Sequence, residues 1–382
     1  MKNFYAHDFK LGILGGGQLG RMFIQEAINY DVRTCVLDPA ADAPCSTCAH
    51  EFVQGSFNDY ETVVAYGQNK DVLTIEIEHV NLEALETLQM QGKKIFPSPQ
   101  VLRMVKDKGL QKQFYLQHNI ATAPFHIVNS RSEIVQYIQE FPYMQKLRTG
   151  GYDGKGVKPL RKAEDIDTAF DEPSVLEKMV DFEKEISVII ARNEQGDVRT
   201  FPLVEMEFSP EANLVEFLFS PAEVSSDIEM QAVMLARQIV AQLDFVGLLA
   251  IEMFVDKQGN VLVNEMAPRP HNSGHHTIEA CETSQYEQHM RSILNLPLGE
   301  TTQLRAAVMV NLLGEKGQSG PVKYEGLEEV MSWPGVHVHL YGKSETRPFR
   351  KMGHVTCTNE SLSAAKQLAR RVMNTVKVVS EG

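Results

Sequence analysis

The segment LLAIEMFVDKQGNVLVNEMAPR carries two glutamates on apolar stretches that flank a turn. A turn centred near Gly259 makes these stretches antiparallel strands and places Glu252 opposite Asn264 and Glu265. Two facing carboxylates repel each other and are costly to desolvate, but a divalent cation between them makes the arrangement favourable. Magnesium suits such a site, because it takes a few carboxylate oxygens and completes its octahedron with phosphate and water. In the alternative interpretation, the register differs and one glutamate points to solvent.

A glycine-rich segment, RTGGYDGKGV, lies between two strand-like stretches upstream of that hairpin. A loop of this kind can place backbone N–H groups on phosphate oxygens and can move as a lid. Lys146 precedes the segment, Lys155 lies within it, and Lys108 in the preceding helix adds further positive charge. These residues predict a polyphosphate site. An ordinary hairpin tip and a solvated helix face are the alternatives.

The segment LEKMVDFEKE, between the glycine-rich loop and the hairpin, suits the rest of a nucleotide. Residues 177–180 can present main-chain groups to a purine, and Glu185 can accept a hydrogen bond from a ribose hydroxyl. The pattern is weak on its own, because a charged edge strand has the same appearance.

The first element of the chain reads LGILGGGQLGRMFIQEA, in which Gly15, Gly17 and Gly20 match G-x-G-x-x-G. This motif between a strand and a helix is typical of a dinucleotide-binding turn. Asp38 ends the second strand, where a ribose-binding acid is expected. A helix N-terminus also favours other anions, such as a phosphate. An NAD-dependent dehydrogenase is therefore one candidate function, although no hydride-transfer site is evident.

Composition limits what these motifs can serve. The chain has 382 residues, of which 43% are hydrophobic, and its net charge of −13 disfavours a nucleic-acid or anionic-membrane surface. The N-terminus lacks the apolar core of a signal peptide, and no apolar run approaches the ~18 residues of a membrane helix. Five cysteines do not make a disulfide scaffold in a chain this long, so we expect a cytoplasmic protein.

Cys45, Cys48 and His50 form C-x-x-C-x-H, which has the spacing of half a zinc site. A structural zinc site needs four ligands, and no second cysteine pair with suitable spacing follows. We therefore expect two thiols in a loop without a metal or redox role.

The order of elements predicts how the motifs are positioned. Residues 11–100 alternate strands with helices, which predicts a parallel sheet covered on both faces. A helix over 101–119, the glycine-rich loop, several strands, a helix over 229–244 and the carboxylate hairpin follow. The remaining residues mix strands with a final helix. We expect an α/β fold with an α+β centre and domains at 1–100, 101–300 and 301–382.

Five motifs together resemble those of the ATP-grasp enzymes, and more narrowly those of the 5-(carboxyamino)imidazole ribonucleotide synthase family of bacterial purine biosynthesis. They are GGGQLGRM, EIEHV, RTGGYDGKG, VNEMAPRPHNSGHHT and RPFRKMGH, in the family's order and spacing. The resemblance implies a Rossmann-like N-terminal domain, a central ATP-grasp fold and a small β-rich C-terminal domain, typically in a homodimer. It also implies ATP-dependent carboxylation of 5-aminoimidazole ribonucleotide by bicarbonate, through carboxyphosphate, with ADP and phosphate released.

Carried onto this chain, the resemblance implies contacts to ATP, magnesium and the ribonucleotide. Glu252 and Glu265 would bind magnesium, or manganese in its place, while Tyr152, Asp153 and Lys351 would act on the reacting groups. The implied nucleotide contacts are Lys108, Lys146, Gly151, Tyr152, Asp153, Gly154, Lys155, Gly156, Val157, Glu177, Lys178, Met179, Val180, Glu185, Asn264 and Glu265. The implied ribonucleotide contacts are Gly17, Gln18, Leu19, Glu76, His79, Arg269, His271, Asn272, Ser273, Arg347, Arg350 and Lys351.

Some of these segments leave other interpretations open. RPHNSGHH places His271, His275 and His276 at spacings that zinc can use, but its proline and glycine favour a loop and the nearby carboxylates favour a harder metal. The basic segment around Arg347 has a solvated loop as its alternative, and His79 has a core histidine as its alternative.

The chain departs from the family's pattern at two positions. Lys108 stands where the family commonly has Arg, which keeps the charge and loses the bidentate fork. Phe208 stands where the family often has a His that approaches the nucleotide, so we leave it out of the site.

Competing functions are another ATP-grasp ligase, such as a formate-dependent ribonucleotide transformylase or a biotin-dependent carboxylase component, and a nucleotide sensor without catalysis.

Overall fold

The computed structural model of the chain describes residues 3–151, 156–208 and 214–381. Four residues predicted from the glycine-rich segment lie outside the described residues: Tyr152, Asp153, Gly154 and Lys155. Every helix within the described ranges is too short or too polar to cross a membrane.

The N-terminal part is a parallel sheet with intervening helices, as the sequence predicts. Its strand order is β3-β2-β1-β4-β5. The strands are β1 (Leu11–Leu14), β2 (Thr34–Asp38), β3 (Glu51–Gln54), β4 (Val72–Ile75) and β5 (Lys94–Phe96). The helices are α1 (Gln18–Asn29), α2 (Tyr60–Gly67) and α3 (Leu82–Met90). Because β1 and β4 are parallel neighbours, the glycine turn after β1 meets the bend after β4 at one edge of the sheet.

Buried apolar residues fix this sheet against the central part of the chain. All four residues of β1 are buried, and α1 buries Leu19, Met22 and Phe23 at helical spacing. Tyr286 and Met290, from a helix far along the chain, belong to the same buried cluster. The glycine turn is therefore held in a fixed position relative to the central part.

The helix predicted over residues 101–119 is wrong as a single element, because the chain interrupts it at Asp107. The structure instead has two helices, α4 (Pro99–Lys106) and α5 (Lys108–Gln117). Asp107 has an extended backbone, and its carboxylate accepts hydrogen bonds from the N–H groups of Gly109 and Leu110. An aspartate that caps the second helix competes with continuation of the first. The interruption places Lys108 in the first turn of α5.

The central part contains two antiparallel arrays of strands. A four-stranded sheet in the order β6-β9-β7-β8 consists of β6 (Phe125–Val128), β7 (Tyr143–Leu147), β8 (Val157–Leu160) and β9 (Ser174–Lys178). A larger sheet contains β10 (Phe182–Arg192), β11 (Val198–Thr200), β12 (Val204–Phe208), β13 (Val215–Ser220), β14 (Gly247–Asp256) and β15 (Val261–Ala267). The helices are α6 (Arg131–Ile134), α7 (Ser226–Gln242), α8 (Thr277–Ala280) and α9 (Gln285–Ile293).

The C-terminal part extends the larger sheet, whose order is β15-β14-β10-β12-β13-β16-β20-β18. A small second sheet has the order β19-β17-β21. The strands are β16 (Ala306–Leu313), β17 (Gly320–Glu325), β18 (Val336–Leu340), β19 (Glu345–Thr346), β20 (Lys351–Asn359) and β21 (Lys377–Ser380), and the helices are α10 (Leu327–Met331) and α11 (Leu362–Thr375). One continuous sheet therefore connects the central hairpin to the C-terminal strands. The exact domain limits stay a prediction.

Replacing Asp107 with Ala removes the cap of α5 and the ion pair with Arg148, whose Nε and Nη2 atoms lie 2.9 and 2.6 Å from the carboxylate oxygens. We expect the free energy of unfolding to fall by about 2 kcal/mol, because cap and ion pair are lost together. Asp107→Asn keeps a capping oxygen and should lose about half as much. Thermal unfolding of the three proteins measures this, and an unchanged Tm for Asp107→Ala would contradict it.

Candidate active site

The two glutamates face each other across β14 and β15, as the sequence predicts. Glu252 pairs directly with Glu265, whereas the next residue, Met253, pairs with Val263. Asn264 is therefore the extra residue of a β-bulge. Bulges re-aim side chains, and here both Asn264 and Glu265 line the same cleft.

The two carboxylates have different electrostatic surroundings. Burial, together with the facing charge of Glu265, raises the pKa of Glu252. The Lys108 ammonium, in a close ion pair with Glu265, holds the pKa of that carboxyl below its usual range. His271 Nε2 lies 3.6 Å from Glu252 Oε1. Facing carboxylate oxygens with excess negative charge are the donor set that suits magnesium or manganese.

Lysines and one buried glutamate line the same cleft, between the four-stranded sheet and β15. Lys146 Nζ donates to Asn264 Oδ1 at 2.8 Å and to Glu177 Oε1 at 3.3 Å. Lys112 Nζ lies 2.8 Å from Glu177 Oε2. The sequence motifs do not single out Lys112, although it lies four residues after Lys108 on α5 and thus on the same helix face.

The residues predicted to contact a purine lie at the end of β9. The main chain of Glu177 pairs with β6 and β7 within the sheet. The residue lines the cleft, and it is the side chain that reaches it. Lys178 Nζ lies 4.5 Å from the centroid of the Tyr143 ring. Met179 and Val180 follow the strand and lead into β10.

The strands on either side of the glycine-rich segment, β7 and β8, pair antiparallel. Lys146 pairs with Val157, so Gly151 and Gly156 lie just beyond the last pair of the ladder. Gly156 has a φ of +73°, which favours glycine. Glu185 on β10 is mostly buried, and burial raises its pKa to about 7 although the charge of Lys146 opposes the rise.

The glycine turn after β1 is hydrogen-bonded to carboxylates of the chain itself. Gly16 N donates to Asp38 Oδ2 at 2.7 Å, and Leu19 N donates to Glu76 Oε1 at 3.1 Å. A Cβ atom on Gly17 would lie 2.4 Å from Glu76 Oε1, so this close approach requires glycine. Gly16 and Leu19 therefore bind internal carboxylates where the sequence suggested an external anion. Gln18 begins α1 beside them.

A cluster of basic side chains precedes β20, and one of them, Lys343, acts on Glu76. Lys343 Nζ donates to the carbonyl of Lys351 at 2.7 Å. Burial, together with the charges of Arg350, Lys351 and Arg347, lowers the pKa of Lys343 to about 8, and Glu76 opposes the change. The predicted basic residues thus lie near Lys343, whose charge in turn acts on Glu76. Lys343 was not among the predicted site residues. Its position close to them in the sequence was the signal that could have identified it.

The loop after β15 connects the carboxylate hairpin to the C-terminal strands. His271 Nδ1 lies 2.9 Å from Ser273 Oγ, which lies 2.9 Å from Ser187 Oγ on β10. Asn272 and Asn311 of β16 exchange two amide hydrogen bonds, of 2.8 and 3.0 Å. Asn311 therefore orients a predicted site residue from 39 positions away in the chain.

The remaining predicted residues lie on either side of this loop. Arg269 Nε lies 2.9 Å from Glu78 Oε1, and His79 lies exposed in the same bend after β4. His275 is buried and packs against His354 in a tilted arrangement, with ring centroids 4.6 Å apart, and His276 is also buried. These two imidazoles pack in the interior and not beside the carboxylate pair, so the zinc interpretation of RPHNSGHH is not supported by their position.

Three families match successive parts of the chain. The ribonucleotide synthetase preATP-grasp domain matches residues 9–106, and the ATP-grasp domain matches residues 113–286. The phosphoribosylaminoimidazole carboxylase C-terminal domain matches residues 307–368. The matches follow the order of the three parts of the fold.

Two relatives are similar to this chain over nearly its whole length. The phosphoribosylaminoimidazole carboxylase of Ogataea methanolica is 37% identical over 97% of this chain, which spans 70% of that longer protein. The N5-carboxyaminoimidazole ribonucleotide synthase of Staphylococcus epidermidis is 35% identical, and the match covers 94% of each protein. The chain belongs to the N5-carboxyaminoimidazole ribonucleotide synthase family.

Solved synthase structures share its fold throughout. The synthetase of Thermotoga maritima has a TM-score of 0.90 and 42% identity, over 98% of this chain and all of that one. The Aspergillus clavatus synthase in complex with ADP and 5-aminoimidazole ribonucleotide has a TM-score of 0.87 and 32% identity, over 96% of this chain and 98% of that one. The predicted α/β fold with an ATP-grasp centre is thereby confirmed.

Glu76 should make the stability of this synthase depend on pH. Burial raises its pKa to about 7, so above that pH folding keeps a charge that the unfolded chain carries more easily. Glu76→Gln keeps an acceptor for Leu19 N and should unfold at a higher temperature at pH 8, with a gain of up to about 3 kcal/mol. Near pH 4 the carboxyl is neutral in both states, so the two Tm values should converge. A less stable variant at pH 8 would contradict the assignment.

Proposed function

We propose that this chain carboxylates 5-aminoimidazole ribonucleotide with bicarbonate and ATP, giving 5-carboxyaminoimidazole ribonucleotide, ADP and phosphate in purine biosynthesis. The observation that carries the proposal is the facing pair of Glu252 and Glu265, of which Glu265 lines one cleft together with Lys108 and Lys146. The nucleotide and the ribonucleotide are those of the Aspergillus clavatus synthase, which is solved with ATP and also with ADP and 5-aminoimidazole ribonucleotide.

The nucleotide half of the reaction needs positive charge and positioning more than covalent chemistry. Lys108 and Lys146 supply charge at the polyphosphate, and we assign the glycine-rich segment to the phosphates as well. We assign main-chain groups within residues 177–180 to the purine and Glu185 to the ribose. Glu252 and Glu265 would hold magnesium or manganese, which neutralises phosphate charge when it is bound.

The carboxylation half must turn bicarbonate into an electrophile. A bicarbonate oxygen attacks the terminal phosphorus of ATP, ADP leaves, and the resulting carboxyphosphate carries phosphate as a leaving group. The amine nitrogen of the ribonucleotide attacks the carboxyl carbon, phosphate departs, and the nitrogen loses a proton. We assign Asp153 as the acceptor of that proton, with Tyr152 and Lys351 orienting the reacting groups. The intermediate must be kept from water, because hydrolysis would destroy it.

The ribonucleotide would lie between the basic cluster and the glycine turn. We place its phosphate at Arg347, Arg350 and Lys351, with Lys343 beside them, because an anion on this acidic protein needs a local group of cations. The other proposed contacts are Gly17, Gln18, Leu19, Glu76, His79, Arg269, His271, Asn272 and Ser273.

We also propose that the enzyme works as a homodimer in the cytoplasm. The homodimer is the assembly that the family resemblance implies. The five cysteines are free thiols and four of them are buried, which suits a reducing compartment. Light scattering from the purified protein measures the assembly, and a monomer at working concentration would contradict the proposal.

Release of ADP tests the function directly. With ATP, magnesium, bicarbonate and 5-aminoimidazole ribonucleotide the protein should release ADP, and leaving out either the ribonucleotide or bicarbonate should stop turnover. Turnover with formate and glycinamide ribonucleotide, but none with aminoimidazole ribonucleotide, would assign a transformylase instead. Tight binding of a reduced nicotinamide cofactor would favour a dehydrogenase, against which the Gly16–Asp38 hydrogen bond argues, because it occupies the ribose-binding acid.

Glu252→Gln should separate activity from stability. The variant removes half of the charge of the facing pair, so we expect kcat for ADP release to fall by about 100-fold. Its Tm without nucleotide should stay the same or rise, because the repulsion with Glu265 is gone. Glu265→Gln should also lose activity. The exposed Glu325→Gln is the control, and wild-type turnover in Glu252→Gln would overturn the assignment.

Arg347→Ala tests the other end of the cleft. We expect the KM for the ribonucleotide to rise by about tenfold, since one cation of its phosphate site is lost, while the KM for ATP changes less than twofold. Steady-state ADP release with each substrate varied in turn measures both values. Unchanged saturation by the ribonucleotide would remove Arg347 from the phosphate site.

A further inference from the structure

Lys112 is a buried cation that the proposed mechanism does not use. Its side chain is 4% exposed, against 20% for Lys108 and 14% for Lys146 in the same cleft. Placing an ammonium in such a position is costly unless specific partners compensate it. The groups that contact the Lys112 ammonium therefore indicate its role.

Each partner of Lys112 belongs to a different wall of the cleft. Its ammonium lies 2.8 Å from Glu177 Oε2 on β9. It also donates to Thr122 Oγ1, and that hydroxyl donates to the carbonyl of Val263 on β15 at 2.6 Å. Lys112 thus links α5, the four-stranded sheet and the strand that carries Asn264 and Glu265.

Glu177 is the anion that competes with a polyphosphate for Lys146. Its carboxylate is 3% exposed and contacts both ammonium groups, Lys112 at 2.8 Å and Lys146 at 3.3 Å. Burial opposes ionisation of Glu177, but Lys146 and Lys112 together hold its pKa below its usual range. Burial also lowers the pKa of Lys112, to about 8, which still leaves it protonated at pH 7. With Lys112 in place, the charge of Glu177 is matched without Lys146.

We propose that Lys112 is a positioning residue of the nucleotide site: it is the permanent counter-charge of Glu177 and keeps Lys146 available to the polyphosphate. Lys146 remains aimed at the cleft by its bond to Asn264 Oδ1, at 2.8 Å. Without Lys112, Lys146 is the ammonium left in contact with Glu177, which draws it away from phosphate. The inference rests on the proposed function only for the identity of the nucleotide.

Calorimetric binding of a non-hydrolysable ATP analogue with magnesium tests this role without requiring carboxylation. We expect Lys112→Met to raise the Kd about tenfold, within the range of couplings in a shared ion-pair network. The double variant Lys112→Met, Glu177→Gln should recover to within about threefold of wild type, because it removes the competing anion as well. Lys70→Met is the matched control, since Lys70 is 1% exposed at its side chain and pairs with Glu51 at 3.3 Å outside the cleft.

Two results would overturn the proposal. One is an unchanged Kd for Lys112→Met, and the other is an equal loss in the single and double variants, which is what a merely structural role produces. If Lys112→Met does not fold, the Kd of Lys112→Gln is compared with that of Lys112→Gln, Glu177→Gln in the same way. A wild-type protein that binds the analogue but releases no ADP with the ribonucleotide would refute the proposed function and leave the role of Lys112 standing.

Discussion

The opposition of Glu252 and Glu265 is the constraint around which the rest of the cleft is arranged. The backbone ladder of β14 and β15 fixes it, because the two residues are direct partners in the register. Ionising both carboxyls in this position would place more negative charge there than the single ion pair with Lys108 can neutralise, and burial and the charge of Glu265 accordingly raise the pKa of Glu252. The adjacent bulge adds Asn264 to the same face, so the hairpin presents oxygen donors in a group.

Continuity of the larger sheet relates the two ends of the cleft. Glu252 lies on β14 and Lys351 begins β20 of the same sheet, and the charge of Lys351 acts on Glu252. The lysines around Glu177 form one cationic region and the cluster around Lys343 forms another. A chain with a net charge of −13 can attract anions only through such local groups. The sheet keeps the two regions at a fixed separation, which a reaction between two anionic substrates requires.

Local sequence patterns predicted much of this fold. Alternation of strands and helices predicted the parallel sheet, and turn residues at Gly259 predicted the hairpin and its register. The interruption at Asp107 was missed because the apolar spacing continues across it, although its capping role was readable from the sequence. The bond between Leu19 and Glu76 joins residues 57 positions apart, and nothing local encodes such a partner. Lys112 escaped notice because its meaning depends on Glu177, on a different element.

Electron paramagnetic resonance of bound manganese tests the central claim most directly. Titration of Mn²⁺ in the presence of ADP reports the ion at the nucleotide without requiring turnover. If Glu252 and Glu265 hold the ion, Glu252→Gln and Glu265→Gln should each weaken binding by about tenfold or more, while Glu325→Gln should bind as the wild type does. Identical manganese affinity in all four proteins would contradict the account.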